Sequence, residues 1–311
     1  MVARTVLGDV APTDLGVVDA HDHLFFRTPL LPGQELDDRD AALAELSAFA
    51  GLGGRTVVQW TPFGMGRQAQ ALVELSLRTG VNVVAATGVH QAAHYDPAEL
   101  EGLYPRVTEL FVDELTRAIG DSDARAGLIK VAGEFHRLDE HARRTMTGAA
   151  EAHHATGAPI AVHLELGTAA LDVLELLCGD LDVPPASVIL GHLNRSPDPR
   201  MHLEVAQAGA FISFDGPSRA NHATDWRLLD SIAALAEGGH ANQLLLGADT
   251  TTSRARAATG EGPGMPFLLR GLRPRIEREL GHALATKMLV DNPAGAFAAE
   301  WADVRATTPA R

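Results

Sequence analysis

Residues 17–24 read VVDAHDHL, a short apolar run that ends in two histidines separated by one aspartate. Such a run suits a buried strand. Side chains alternate across a strand, so His21 and His23 project to the same side, where both imidazoles can reach one metal ion. Alone, H-x-H means little in a chain with 14 histidines, because chance pairs are common. It gains weight from the rest of the chain. Comparable runs recur at 56–60 (TVVQW), 82–88 (NVVAATG), 127–132 (GLIKVA), 159–164 (PIAVHL), 187–192 (SVILGH), 211–215 (FISFD) and 243–249 (QLLLGAD). Most are near-continuous Val/Ile/Leu runs, the pattern of strands covered on both faces.

Segments with helical spacing lie between them, among them DDRDAALAELSAFAG, RQAQALVELSLRTG and RVTELFVDELTRAIG. Several end in glycine, as helices closed by a left-handed residue do. Strands alternating with helices over ~250 residues predict an α/β fold, a single-domain (β/α)8 TIM barrel rather than an open doubly wound sheet. No G-x-G-x-x-G follows the first strand to argue for a dinucleotide fold. One domain is expected over 1–311, with 1–16 an N-terminal strand or hairpin extension and 299–311 a C-terminal tail.

Composition narrows the function. The chain has 311 residues, 46% of them hydrophobic, and a net charge of −14 with no basic block. Nucleic acid is not an expected partner, because phosphate binding needs a basic footprint. The N-terminus has no apolar signal core, and no stretch approaches the ~18 apolar residues of a membrane span. A soluble, cytoplasmic protein that does not enter membranes is expected. The lone Cys178 lies in the apolar run LDVLELLCGD, which reads as an inert packing residue rather than a nucleophile.

Other metal-ligand types recur at strand ends: His163 after PIAV, His192 after SVILG and Asp249 after QLLLGA. Buried without partners they would be costly, and metal coordination supplies partners. Lys130, inside GLIKVA, is stranger, since a lysine in an apolar strand is rarely buried unless paired or chemically altered. The plainer alternative is a lysine pointing to the bottom or rim of the barrel.

Taken in order, H-x-H on the first strand, lysine on the fourth, single histidines on the fifth and sixth and aspartate on the eighth resemble the phosphotriesterase-like family of the amidohydrolase superfamily. The stretches ATGVH, IKVAG, ILGHLNRSPDP, FISFDGPSR, GPGMPFLLRGLRPRI and DNPAGAF carry the resemblance from about Thr5 to Phe297. It implies two divalent metal ions, zinc foremost with manganese, cobalt or iron as alternatives. It implies that carbon dioxide converts Lys130 to a carbamate bridging the ions. His21, His23 and Asp249 would hold the more buried ion, and His163 and His192 the exposed one. The implied enzyme is a binuclear hydrolase whose metal-bridging hydroxide attacks a carbonyl or phosphoryl centre, with Asp249 orienting it and taking its proton. The middle residue, Asp22, replaces the glutamate of many relatives and should leave the ligands undisturbed.

Substrate contacts are expected in the loops. Arg219 follows the seventh strand, and Arg254 and Arg256 follow the eighth, where barrels often build phosphate sites. The competing reading has them solvated, or paired with Asp225 and Glu261. His90, in ATGVHQAAHY, occupies a position near the substrate in the family, either bonding the leaving group or holding structure. The loop wording resembles the branch that opens phosphorylated sugar lactones, so a lactonase for a small anionic lactone is expected. An amide (N-acyl amino acid) hydrolase or a phosphotriesterase with the same centre is the alternative, and a non-catalytic ligand-binding barrel the remote one. The resemblance also allows a homodimer, with Trp60, Phe63 and Met65 either at its interface or lining the pocket.

Overall fold

The computed structural model describes residues 1–217, 222–259 and 261–302. Arg219 and the expected tail beyond residue 302 lie outside the described residues. Two antiparallel strands open the chain, β1 (Val2–Thr5) and β2 (Gly8–Val10), and β1 also pairs with the last strand, β11 (Ala298–Ala299). The expected C-terminal tail therefore starts inside a strand, because Ala299 pairs with Val2.

Between them run β3 (Val18–Asp22), β4 (Thr56–Gln59), β5 (Asn82–Gly88), β6 (Leu128–Ala132), β7 (Ile160–His163), β8 (Val188–Gly191), β9 (Phe211–Asp215) and β10 (Leu244–Gly247). They form one eight-stranded parallel sheet in sequence order. Each lies within a run read as a strand from the sequence. Helices follow each of them, for example Arg39–Gly51 after β3 and Glu140–Thr156 after β6. Asp38 caps the first by accepting from the N–H groups of Asp40 and Ala41, and Gly157 closes the second in the left-handed region. The architecture is the (β/α)8 barrel.

Alternation along the strands divides the apolar residues into two cores. Val57, Val83, Ala85, Ile129, Val162, Leu190, Phe214 and Leu246 pack outward against the helices. Val58, Trp60, Val84, Ala86, Leu128, Ala161, Ile189 and Leu245 fill a separate interior cluster. Trp60 is fully buried there, its Nε1–H donating to the Ala20 carbonyl at 2.9 Å. Met65 is also fully buried, so neither residue is available to an intersubunit interface.

The barrel closes between β3 and β10 by a different means. No ladder joins β3 to β10 among the described residues, and the carboxylates of Asp19 and Asp22 meet the last strand instead. Asp19 accepts from Ala248 N at 3.1 Å, Asp22 from Thr250 N at 2.8 Å, and Asp249 N donates to the His21 carbonyl at 2.9 Å. The middle residue of the H-x-H motif thus clasps the seam. Burial pushes the Asp22 carboxyl up to about 6, and burial together with Asp22 raises Asp19 well above the usual carboxylate range.

Candidate metal centre

The C-terminal ends of the barrel strands deliver His21, His23, His90, Lys130, His163, His192 and Asp249 to a single cavity of about 220 Å³. β3 carries His21 and ends at Asp22, with His23 just past it, and both imidazoles reach the mouth. Beneath them the Trp60 ring stacks on His21 with centroids 3.8 Å apart, fixing the imidazole plane. His192 and Asp249 stand just past their strands with φ of 67° and 52°. A left-handed backbone at two non-glycine residues is strain of the kind that gathers at functional sites.

Three of the imidazoles, His23, His163 and His192, have one nitrogen engaged by an acceptor. His23 Nδ1 lies 2.7 Å from the Thr61 hydroxyl, which itself donates to the Phe25 carbonyl and so accepts from the ring. His192 Nδ1 donates to Asp215 Oδ2 at 2.7 Å, and His163 Nε2 to Glu165 Oε2 at 3.0 Å. His21 Nδ1 faces Asp215 Oδ1 at 3.3 Å, where neither atom finds a hydrogen bond among the described residues. These pairings fix the tautomers and leave the other nitrogens toward the cavity. His21 Nε2 and His23 Nε2 stand 3.5 and 3.6 Å from Asp249 Oδ1. His163 Nδ1 and His192 Nε2 face each other at 2.8 Å. Two imidazole lone pairs so placed repel unless a cation lies beside them, which is the arrangement a divalent metal relieves.

The charge states agree. Burial lowers the affinity of His21, His23 and His90 for protons, and takes His163 down to about 3 with help from His192. Neutral imidazole is the ligating form. Burial alone would raise Asp249 and Asp215. The neighbouring His21 and His192 outweigh it for Asp249, and His192 and Arg195 do so for Asp215, so both carboxyls lie below the ordinary range. His163 holds Glu165 down to about 2. His21, His23 and Asp249 present ligand atoms within 4.8 Å of one another, and so do His21, His192 and Asp215. In the second group the Asp215 oxygens face Nδ1 atoms, so that carboxylate orients the rings.

Lys130 points into the cavity from β6, not to the bottom or rim, with Nζ 2.8 Å from His90 Nδ1. Burial brings its amine down to about 7. His90 lies beside Lys130 in the cavity lining. Its ring lines the cavity, while its carbonyl accepts from His141 Nε2 at 2.6 Å and its N–H donates to Tyr95 at 2.9 Å.

The loop arginines separate. Arg256 is buried at 2% exposure, and its guanidinium donates to the carbonyls of Leu24 and Asp38. It pins the loop after β10 to the loop after β3 and does not reach the mouth, contrary to the sequence expectation. Beside it Glu45 accepts from Ala257, Ala258 and Met265 N–H at 2.9–3.2 Å. Arg254 lines a second cavity of about 390 Å³ that shares Asp249 and the adjacent Thr251 with the first. Its side chain is 73% exposed, with Glu261 4.0 Å away.

Several residues of the centre escaped the sequence reading. Asp215 carried a usable signal, since it ends β9 as the other ligands end theirs. Arg195, which donates to Asp215 Oδ2 at 3.1 Å and Asp249 Oδ2 at 2.5 Å, carried none. Nor did Glu165 and Thr61, whose value lies in what they touch.

Residues 1–297 match the model of the phosphotriesterase family. The chain belongs to that family. Among curated relatives, a phospho-furanose lactonase of Mycoplasmopsis agalactiae is 33% identical over 248 residues, covering 73% of this chain and 70% of the relative. Among solved structures, a lactonase from Listeria monocytogenes superposes with a TM-score of 0.89 at 29% identity, covering 96% of this chain and all of that one. The Escherichia coli phosphotriesterase homology protein, complexed with phosphate in its active site, gives 0.86 at 27% identity, covering 92% and 99%. As a phosphotriesterase-family hydrolase the chain is an enzyme of a metal-dependent kind, and its candidate ligands fit that chemistry. Among the described residues, no helix is long and apolar enough to cross a membrane.

Proposed function

We propose that this hydrolase is a binuclear lactonase that opens a small anionic lactone, a phosphorylated sugar lactone among the candidates. The observation that carries the two-metal reading is the split of inward ligand atoms into two groups in one cavity. His21 Nε2 and His23 Nε2 stand beside Asp249 Oδ1, while His163 Nδ1 faces His192 Nε2. Lys130 enters the same cavity. An amine brought down to about 7 has a substantial unprotonated fraction at neutral pH. It can form an N–C bond to carbon dioxide with release of a proton, giving the anionic oxygen donor that an ammonium is not. Zinc is the first candidate metal, with manganese, cobalt and iron as alternatives. Two such ions supply an acidified water and a polarised substrate oxygen.

The chain's own residues do the rest. Asp215, Thr61 and Glu165 hold the imidazoles in their ligating tautomers. Arg195 occupies Asp249 Oδ2 and leaves Oδ1 to orient the attacking water and take its proton. Attack at the lactone carbonyl breaks the ring C–O bond and yields a hydroxy acid, which ionises and releases a proton.

Arg254 at the mouth of the adjoining cavity supports an anionic substrate, as do the relatives named phospho-furanose lactonase. Phe267, Leu268 and Leu272 line the same cavity and favour a second reading, an alkyl-substituted neutral lactone. Cytoplasmic location and a homodimeric assembly belong to this proposal. The test is proton release by the zinc- or manganese-loaded protein in low-bicarbonate buffer, against phosphorylated lactones, plain lactones, N-acyl amino acids and a phosphotriester. Preference for the phosphorylated lactone supports the proposal. Turnover confined to amides or phosphotriesters overturns it, and preference for neutral lactones overturns its anionic part.

A further inference from the structure

Leu166 is held in a left-handed conformation that costs a leucine energy, and it faces the cavity of the metal centre. Its backbone is left-handed, at φ 49° and ψ 30°, and its side chain is 49% exposed. In that region Cβ crowds the following carbonyl, and a half-exposed leucine recovers only part of its burial energy.

The turn itself is required. On one side, Glu165 is fixed by His163 Nε2 at 3.0 Å and Gln91 Nε2 at 3.3 Å. On the other, Gly167 packs so tightly that a Cβ there would stand 2.6 Å from the His192 carbonyl oxygen and 2.9 Å from Ser196 N. Gly167 N donates to the Leu164 carbonyl at 2.9 Å, and Thr168 N to the Glu165 carbonyl at 3.1 Å. The geometry therefore demands a left-handed residue at 166, but nothing in it demands leucine. Glycine or asparagine meets it at lower cost.

We infer that Leu166 is a specificity-determining residue whose side chain covers the C–H face of the substrate ring. The cavity is otherwise lined mainly by imidazoles and charged groups. Phe26, tilted against His23 with ring centroids 5.0 Å apart, supplies its other large apolar surface. A five-membered lactone has a polar ester edge and an apolar ring face. The ligand cluster meets the edge, and Leu166 and Phe26 meet the face. This deepens the lactonase reading and rests on it.

Leu166→Gly and Leu166→Asn both accept the left-handed backbone, and both remove the apolar contact. With a γ-lactone that the wild type opens, KM is expected to rise about ten-fold and kcat to stay within about three-fold. Melting temperature should hold or rise, and metal content should hold. An unchanged KM in both variants overturns the inference, as does a rise in KM accompanied by lower melting temperature or lost metal. Calorimetric binding of the corresponding γ-lactam reads Leu166 apart from turnover. If the wild type opens no lactone, the lactonase reading fails. Weaker lactam binding by the variants then still supports Leu166's contact with the ring, and equal or absent binding overturns it.

Discussion

Two cavities meet at Asp249 and Thr251, and they are built in opposite ways. In the metal centre most of the polar groups come from strand ends, and nearly every one is engaged by a neighbour. Asp215 faces His21 and His192, Arg195 ties Asp215 to Asp249, and Glu165 holds His163. In the adjoining cavity the lining comes largely from the loop after β10. Buried groups behind the wall, Glu45 and Arg256, tie that loop down, while among the described residues Arg254 on the wall has only a distant partner. Fixed ligands suit a reaction whose geometry must not vary. A pinned loop carrying one loosely held cation suits recognition of a substituent.

The largest test of this contrast removes the lysine proposed to bridge the ions. Lys130→Ala should lose bound metal and cut kcat/KM by roughly a thousand-fold, about 4 kcal/mol of barrier. Full metal content and activity without added short carboxylic acids would break the carbamate assignment. In the wild type, reconstitution of metal-free protein with zinc and bicarbonate should quicken as pH rises through about 7. The sign comes from burial disfavouring the ammonium: below that value the amine is protonated and cannot attack carbon dioxide. A flat rate across that range would remove Lys130 as the reacting amine.

A smaller loss is expected from Asp215→Asn, because the amide offers one acceptor oxygen where two imidazoles need one each. Metal affinity should fall by about 10–100-fold with the fold intact, measured by titration with a competing chelator. Equal affinity would show that Asp215 does not orient the rings.

The smallest effects sharpen the difference between the two loop arginines. Arg256→Ala should cost roughly 2–3 kcal/mol in denaturant unfolding, since it strands the buried Leu24 carbonyl and opens a void. Arg254→Ala should leave stability within about 0.5 kcal/mol and weaken turnover of anionic lactones alone. The reverse pattern would exchange their roles.

Strand-borne residues were legible and loop-borne ones were not. His163, His192 and Asp249 end hydrophobic runs, and a polar side chain there has one place to go, the barrel mouth. Lys130 was legible as an oddity inside an apolar strand, but its direction, into the cavity rather than to the bottom or rim, came from the barrel. Arg254 and Arg256 lie two residues apart in one loop. Only the path of the backbone put Arg256 under Leu24 and left Arg254 at the wall. Trp60 looked like an interface or pocket residue until the barrel interior enclosed it.

The amino-acid sequence by itself determined the eight strands, the barrel they form and the candidate ligands at its mouth, because period-two alternation and the cost of burying polar groups act locally along each strand. The tertiary structure alone decided the partners. Asp215 beneath two imidazoles, Arg195 between two carboxylates, Asp22 across the seam and Leu166 over the cavity join residues far apart in sequence, or depend on how one turn packs against another strand. No local pattern encodes such contacts, since each exists only once the barrel has closed.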